Sequence, residues 1–224
     1  MAFRVNPRPT GPVRVKVCGL TTEAQVEAAA SAGAAYIGLV FYSRSPRSLA
    51  LPVARDLALA APVGVAKVAL FVDPSDAEVD AVLDTVPIDM VQLHGHEPPD
   101  RVAEIRERWG LPVMKAVGIS GPEDVARARA YEAVADQLLL DAKAPAGSTL
   151  PGGNGVSFDW GLLSGLSWSR PWMLAGGLGP RNVAEAVRVS GARQVDVSSG
   201  VESAPGIKDS DLIRAFVGAV ASAR

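Results

Sequence analysis

A single (β/α)8 barrel, the TIM-barrel class of α/β fold, is what this 224-residue chain predicts. Three observations carry the expectation. Short aliphatic runs alternate with segments of helical spacing, eight of each occur at about one pair per 28 residues, and no dinucleotide-binding fingerprint follows the first strand. Strands buried on both faces lack the polar alternation of a half-exposed strand, so they read as nearly unbroken Val, Ile and Leu. Strict alternation with helices favours a parallel sheet, and eight units in this length favour a closed barrel. An open doubly wound sheet would need a Gly-rich dinucleotide loop after strand one.

The strands are expected at Val13–Cys18, Ala35–Phe41, Val65–Val72, Ile88–Leu93, Val113–Val117, Gln137–Asp141, Trp172–Ala175 and Gln194–Val197. The first helix, Thr22–Ala32, opens on Thr-Thr-Glu, which suits a cap, and ends before Gly33. Further helices are expected at Pro52–Ala60, Ser75–Thr85, Pro99–Trp109, Pro122–Tyr131, Phe158–Leu163, Pro180–Ser190 and Ser210–Ala223. Asp73 and Asp159 read as helix-start residues, and the four tryptophans as packing groups. No shift in composition marks a domain boundary, so residues 13–224 form one barrel domain. Residues 1–12, with three prolines, two arginines and no apolar run, read as a flexible extension and not as a signal peptide.

Composition narrows the function. Lys and Arg number 22 against 24 Asp and Glu, which gives no electrostatic case for a nucleic-acid or membrane partner. One cysteine excludes an internal disulfide and a multi-cysteine metal site, and two histidines make a histidine-built metal centre implausible. The longest apolar stretch, Leu57–Val72, is interrupted by Pro62, Gly64 and Lys67 and is too short to span a bilayer. The expectation is a soluble cytoplasmic protein with no cysteine- or histidine-built metal centre.

In a barrel, chemistry gathers at the C-terminal ends of the strands. Strand one ends Val15-Lys16-Val17-Cys18, and alternation points Lys16 and Cys18 into the barrel while the valines face the helices. A lone cysteine is most often an inert small residue. At this rim, beside a lysine, it becomes a candidate base, because a nearby cation favours thiolate. Strand six ends on Asp141 behind three leucines and beneath a Gly-rich loop, where desolvation would favour a protonated acid. Acid and base on different strands are the pattern of a proton-transfer reaction.

The loops after strands seven and eight, Ala175–Pro180 and Asp196–Val201, carry Gly176, Gly177, Ser198, Ser199 and Gly200 at the usual barrel phosphate position. In the strand-two loop Arg44 and Arg47 offer guanidinium groups; each is plainly explained by solvation, yet the planar fork also suits a substrate carboxylate. Gln92 and His94 share a strand-four face and, with Lys16, are further site candidates, whereas His96 should face solvent.

Together these motifs resemble one family. Lys16–Thr21 (KVCGLT), Phe41–Arg47, Val91–Gly95 (VQLHG), Leu139–Asp141, Gly152–Trp160, Gly176–Leu178 and Asp196–Glu202 (DVSSGVE), with Pro205-Gly206 and Lys208-Asp209, stand in the order found in phosphoribosylanthranilate isomerases of tryptophan biosynthesis. The resemblance covers about residues 13–220. It implies a cofactor-free Amadori rearrangement of N-(5-phosphoribosyl)anthranilate, with Asp141 as general acid and Cys18 as general base. It further implies Arg47 on the anthranilate carboxylate, Asp196 at a sugar hydroxyl, the glycine and serine loops on the phosphate, and a monomer or homodimer. Two features depart from the family pattern: a long Ala142–Pro151 loop, and Ala175 where serine is frequent. The rivals are a histidine-pathway aminoaldose isomerase, disfavoured by the strand-one cysteine, and a non-catalytic sugar-phosphate-binding barrel, which would not need both Cys18 and Asp141.

Overall fold

Eight parallel strands close in sequence order: β1 Arg14–Cys18, β2 Tyr36–Val40, β3 Ala66–Phe71, β4 Met90–Leu93, β5 Val113–Ile119, β6 Gln137–Ala142, β7 Trp172–Leu174 and β8 Gln194–Val197. The description is of a computed structural model covering residues 11–145, 147–148, 150–153 and 155–223. Most of the expected N-terminal extension therefore lies outside the described residues. The last strand pairs with the first in the register Arg14↔Gln194 to Val17↔Val197, so the barrel has no free edge.

Among the described residues seven α-helices cover the sheet: α1 Glu23–Ala32, α2 Leu51–Ala60, α3 Asp76–Thr85, α4 Pro99–Trp109, α5 Pro122–Arg129, α6 Val183–Ser190 and α7 Ser210–Ala221. Local signals place their ends. The Thr22 hydroxyl accepts from the Gln25 N–H, and Gly33 closes α1 in the left-handed conformation. A reciprocal Ser75–Glu78 capping box starts α3. Asp73, expected at that start, instead lies in the loop before it with φ 48°, and its carboxylate accepts from the His96 N–H. Asp159 does cap, but only a single 3-10 turn, Trp160–Leu163, because Gly161 and Gly165 leave little helix propensity there. The expected Phe158–Leu163 helix is thus reduced to that turn. Likewise α6 begins at Val183, three residues beyond Pro180, because the Asn182 side chain accepts from Gly179 N–H and donates to the Gly177 carbonyl, holding the preceding loop in a turn.

Side chains divide by pleat as the alternation predicts. Val15 and Val17 join the large apolar layer between strands and helices, while Tyr36, Val68, Met114, Ala116, Leu139, Met173 and Ala175 fill the barrel. Cys18, Val40 and Leu70 close the interior at the C-terminal end. An antiparallel hairpin after β8, made of β9 Glu202–Ala204 and β10 Ile207–Lys208, is not foreseen by the strand pattern because it is short and largely exposed. Among the described residues no helix is long and apolar enough to cross a membrane.

Leu139 is fully buried at the centre of the barrel. Its truncation to Ala removes buried methyl groups and leaves a cavity, so urea unfolding should show a loss of about 2–5 kcal/mol. A loss below about 1 kcal/mol would mean that the interior collapses around the gap.

Candidate active site

A cleft opens at the C-terminal rim, lined among others by Cys18, Tyr42, Arg47, His94, Asp141 and Asp196. A neighbouring recess, lined by Gly155, Gly176, Gly177, Ser198 and Ser199, shares Asp141, Asp196 and Ser198 with it. Both Cys18 and Asp141 are thus on the same opening, as their strand-end positions require.

Cys18 and Lys16 point inward together. Lys16 is fully buried and donates to Asp196 Oδ1 at 2.9 Å, a pair that directly bridges the β1–β8 register. The thiol packs against Gly38, where a Cβ would lie 2.7 Å from Sγ, so only glycine leaves it room. Lys16 does favour the thiolate, as expected, but burial outweighs it. Burial pushes the Cys18 thiol up, and Lys16 and Lys208 oppose this while Asp196 adds to it. The net direction is upward because desolvation is the largest influence and Asp196 reinforces it. For Lys16 the balance is the reverse: burial pulls the ammonium down, but Asp196 and Cys18 hold it above its ordinary range.

Asp141 is buried beneath the loop that follows β6. Its Oδ1 accepts from the Ala142 N–H at 2.8 Å, and His94 Nε2 stands 3.2 Å from Oδ2. Behind the imidazole, Gln92 Nε2 lies 2.9 Å from His94 Nδ1. With the amide donating, Nδ1 accepts, and the ring proton sits on Nε2 facing the carboxyl. Gly152 folds over the pair so tightly that a Cβ would fall 2.6 Å from His94 Nε2 and 2.9 Å from Asp141 Oδ2. His96, as expected, is exposed, against Asp73.

The phosphate-type loops depend on their glycines. Gly176 and Gly177 have φ of 91° and 59°, and side chains there would strike Ala142 and Val156. Gly200 does not line the recess; it packs against the Leu178 carbonyl, which a Cβ would overlap. Ser199 lines the recess, whereas the Ser198 hydroxyl donates to the Cys18 carbonyl at 3.1 Å.

Arg47 is almost fully buried and makes a two-pronged ion pair with Glu202, Nε to Oε1 at 2.7 Å and Nη2 to Oε2 at 2.8 Å. Lys208 adds its Nζ to Oε1 at 2.5 Å. Burial would raise the Glu202 pKa, but the hydrogen bonds from Arg47 and Lys208 hold the carboxylate below its ordinary range. Glu202 and Lys208 lie within the sequence motifs, but nothing in their spacing assigns them this role; the β9–β10 hairpin brings them to Arg47. Lys115 and Glu97, a buried pair beside the strand-four loop, give no sequence signal at all.

Against this geometry, comparison with known proteins is decisive. The family model described as N-(5'phosphoribosyl)anthranilate (PRA) isomerase matches residues 15–219. The chain belongs to that family. An N-(5'-phosphoribosyl)anthranilate isomerase of Cereibacter sphaeroides is 64% identical over 205 residues, which covers 92% of this chain and 97% of the relative. One from Ruegeria sp. (strain TM1040) is 61% identical over 206 residues, 92% of this chain and 96% of the relative. A solved phosphoribosyl anthranilate isomerase from Thermotoga maritima superposes with a TM-score of 0.84 at 38% identity, covering 93% of this chain and 98% of the other. A related structure in complex with reduced 1-(o-carboxyphenylamino)-1-deoxyribulose 5-phosphate has a TM-score of 0.80 at 36% identity, covering 93% of this chain and 98% of that one. The barrel is therefore an isomerase of tryptophan biosynthesis, acting on N-(5'-phosphoribosyl)anthranilate.

Because Lys16 is the largest influence holding the Cys18 thiol down against burial, removing its charge has a definite sign. In Lys16→Met the thiolate absorbance of the isomerase should develop at higher pH than in wild type. A titration unchanged or moved to lower pH would show that the lysine does not govern the thiol.

Proposed function

We propose that Asp141 and Cys18 are the acid and base of the isomerisation, and that the single observation carrying this is their convergence on one cleft from β6 and β1. Asp141 donates a proton to the ribose ring oxygen of N-(5-phosphoribosyl)anthranilate. The bond from C1 to that oxygen breaks, and the anthranilate nitrogen lone pair closes a protonated Schiff base. Cys18, as thiolate, takes the proton from C2, and the electron pair left behind neutralises the iminium to give an enolamine. Tautomerisation moves the C2 hydroxyl proton to C1 and leaves the C2 ketone of 1-(2-carboxyphenylamino)-1-deoxyribulose 5-phosphate. One proton leaves the acid and one reaches the base, so the sugar is isomerised with no redox partner, cofactor or metal.

The remaining candidates take binding roles. Gly176, Gly177, Ser199 and the Ser198–Ser199 backbone, which line the recess, offer N–H and hydroxyl donors for the phosphate, with Gly200 packed behind them against the Leu178 carbonyl. Asp196 meets a sugar hydroxyl from its place in both parts of the cleft while its other oxygen holds Lys16. Arg47 binds the anthranilate carboxylate through the guanidinium nitrogen not engaged by Glu202; its Nη1 faces the Gly153 side of the cleft. In this reading the partner is the small-molecule substrate, without nucleic acid or membrane, and the enzyme works in the cytoplasm. Its assembly is a monomer or a homodimer, the latter being the form named for a Thermotoga maritima isomerase.

A coupled fluorescence assay, with substrate generated in place from anthranilate and phosphoribosyl pyrophosphate, tests the acid and base. Asp141→Asn should abolish turnover while substrate still binds, and Cys18→Ala should lower kcat by roughly 10^2–10^4. Near-normal kcat in Asp141→Asn, or less than about a tenfold loss in Cys18→Ala, would remove that residue from the mechanism. Arg47→Ala should chiefly raise KM; an unchanged KM with a lowered kcat would make it a group that acts in the transition state.

A further inference from the structure

Beside the active cleft lies a buried ion pair that the mechanism does not use. Lys115 Nζ and Glu97 Oε2 are 2.6 Å apart, and each side chain is 2% exposed. Taking two charges out of water costs several kcal/mol per ion before their attraction is counted, and an apolar pair of similar volume is often as stable. What the pair touches suggests why charge is kept. Lys115 Nζ also donates to the Gly95 carbonyl at 2.8 Å and approaches the Leu93 carbonyl at 3.5 Å. Those carbonyls belong to the residues on either side of His94. Glu97 in turn accepts from the Gly95 N–H at 3.0 Å and from the Asp73 N–H at 2.8 Å. The loops after β3 and β4 are pressed together there: a Cβ on Gly95 would sit 2.4 Å from Asp73 Oδ1. Asp73 itself is, among the described residues, the one non-glycine with positive φ. Strain of that kind persists only where the surroundings over-determine it. Tyr131 completes the knot, its hydroxyl donating to the Glu97 carbonyl at 3.0 Å while its ring covers the Lys115 ammonium at 5.6 Å.

We propose that Lys115 and Glu97 are positioning residues for the isomerisation: they clamp the backbone on both sides of His94 and thereby hold its imidazole against Asp141. The clamp grips the main chain, and Gln92 grips the ring, so His94 is fixed from two directions. Its Nε2–H is then aimed at the oxygen of Asp141 that carries negative charge once the proton has gone to the sugar. Neither clamp residue touches the phosphate recess or Arg47's ion pair, so the effect falls on turnover and not on substrate affinity.

The inference rests on Asp141 being the acid. Lys115→Met should lower kcat ~10- to 100-fold with KM little changed, since a small misplacement of a group at the reacting centre costs that much. In a His94→Ala background the same change should cost nothing further, because the clamp acts through the ring. The chain has only two histidines, and the exposed His96 ring provides a reference for imidazole NMR. Wild type should show His94 as the neutral tautomer protonated on Nε2, and Lys115→Met should show that ring averaging between environments. Should Lys115→Met fail to fold, Lys115→Met/Glu97→Gln removes both charges and leaves none unpaired. A folded clamp variant with wild-type kcat, a full loss in the His94→Ala background, or a wild-type ring protonated on Nδ1 would each overturn the proposal. Activity in Asp141→Asn would instead remove the reading on which it stands, so the two failures are distinct.

Discussion

The ion pair between Lys16 and Asp196 sits where the barrel closes and where the chemistry begins. It joins the first strand to the last at their paired positions and buries a lysine completely. An unpaired ammonium there would be prohibitive, so the aspartate fixes the closing register as firmly as the backbone bonds do. The same pair decides the electrostatics one pleat further on. Burial prevails at Cys18 and, with Asp196 reinforcing it, the thiol is pushed up. If Cys18 is the base proposed here, it has a high intrinsic proton affinity at the expense of its ionised population, a balance common to acid–base sites. The pair therefore links barrel closure to the electrostatics of Cys18 through one contact.

Around that seam the loops divide the work by chemistry. Glycines let the backbone approach where donors must converge, at Gly176 and Gly177 for the recess and at Gly152 over Asp141. Charged side chains, all but one of them deeply buried, fix the remaining loops. Glu202 ties Arg47 to Lys208 across the hairpin, and Glu97 ties Lys115 to the turns after β3 and β4. In both clusters a carboxylate accepts from a cation and from loop N–H groups, which removes the freedom of the peptide units that carry Arg47 and His94. Rigid placement of this kind lowers the reorganisation needed when charge develops on substrate or acid.

The repeating part of this protein was written locally. Unbroken aliphatic runs such as Leu138–Leu140, alternation such as Val15/Val17 against Lys16/Cys18, and caps such as Thr22 and Ser75 follow from propensity and pleat. So did the rim position of Cys18 and Asp141, because strand ends in a barrel face one opening. Elements whose signal is weak or split were misplaced. The turn at Trp160–Leu163 is too glycine-rich to be a helix, and Asn182 captures the residues expected to begin α6. Nor does any local pattern show that the Ser198 hydroxyl donates to the Cys18 carbonyl across the β1–β8 seam.

By itself the sequence determined the eight-fold alternation, the inward-facing Lys16 and Cys18, the aspartate at the end of strand six and, through its ordered motifs, the family. Only the tertiary structure decided that Arg47 is already held by Glu202, that Cys18 is pushed up and not down, and that Lys115 reaches the peptides around His94. The division has a physical origin. Periodicity and capping act within a few residues and leave a trace in the chain. Desolvation and ion pairing depend on which groups meet across 155 positions, as in Arg47 and Glu202, and such meetings are fixed by barrel closure rather than by any local pattern.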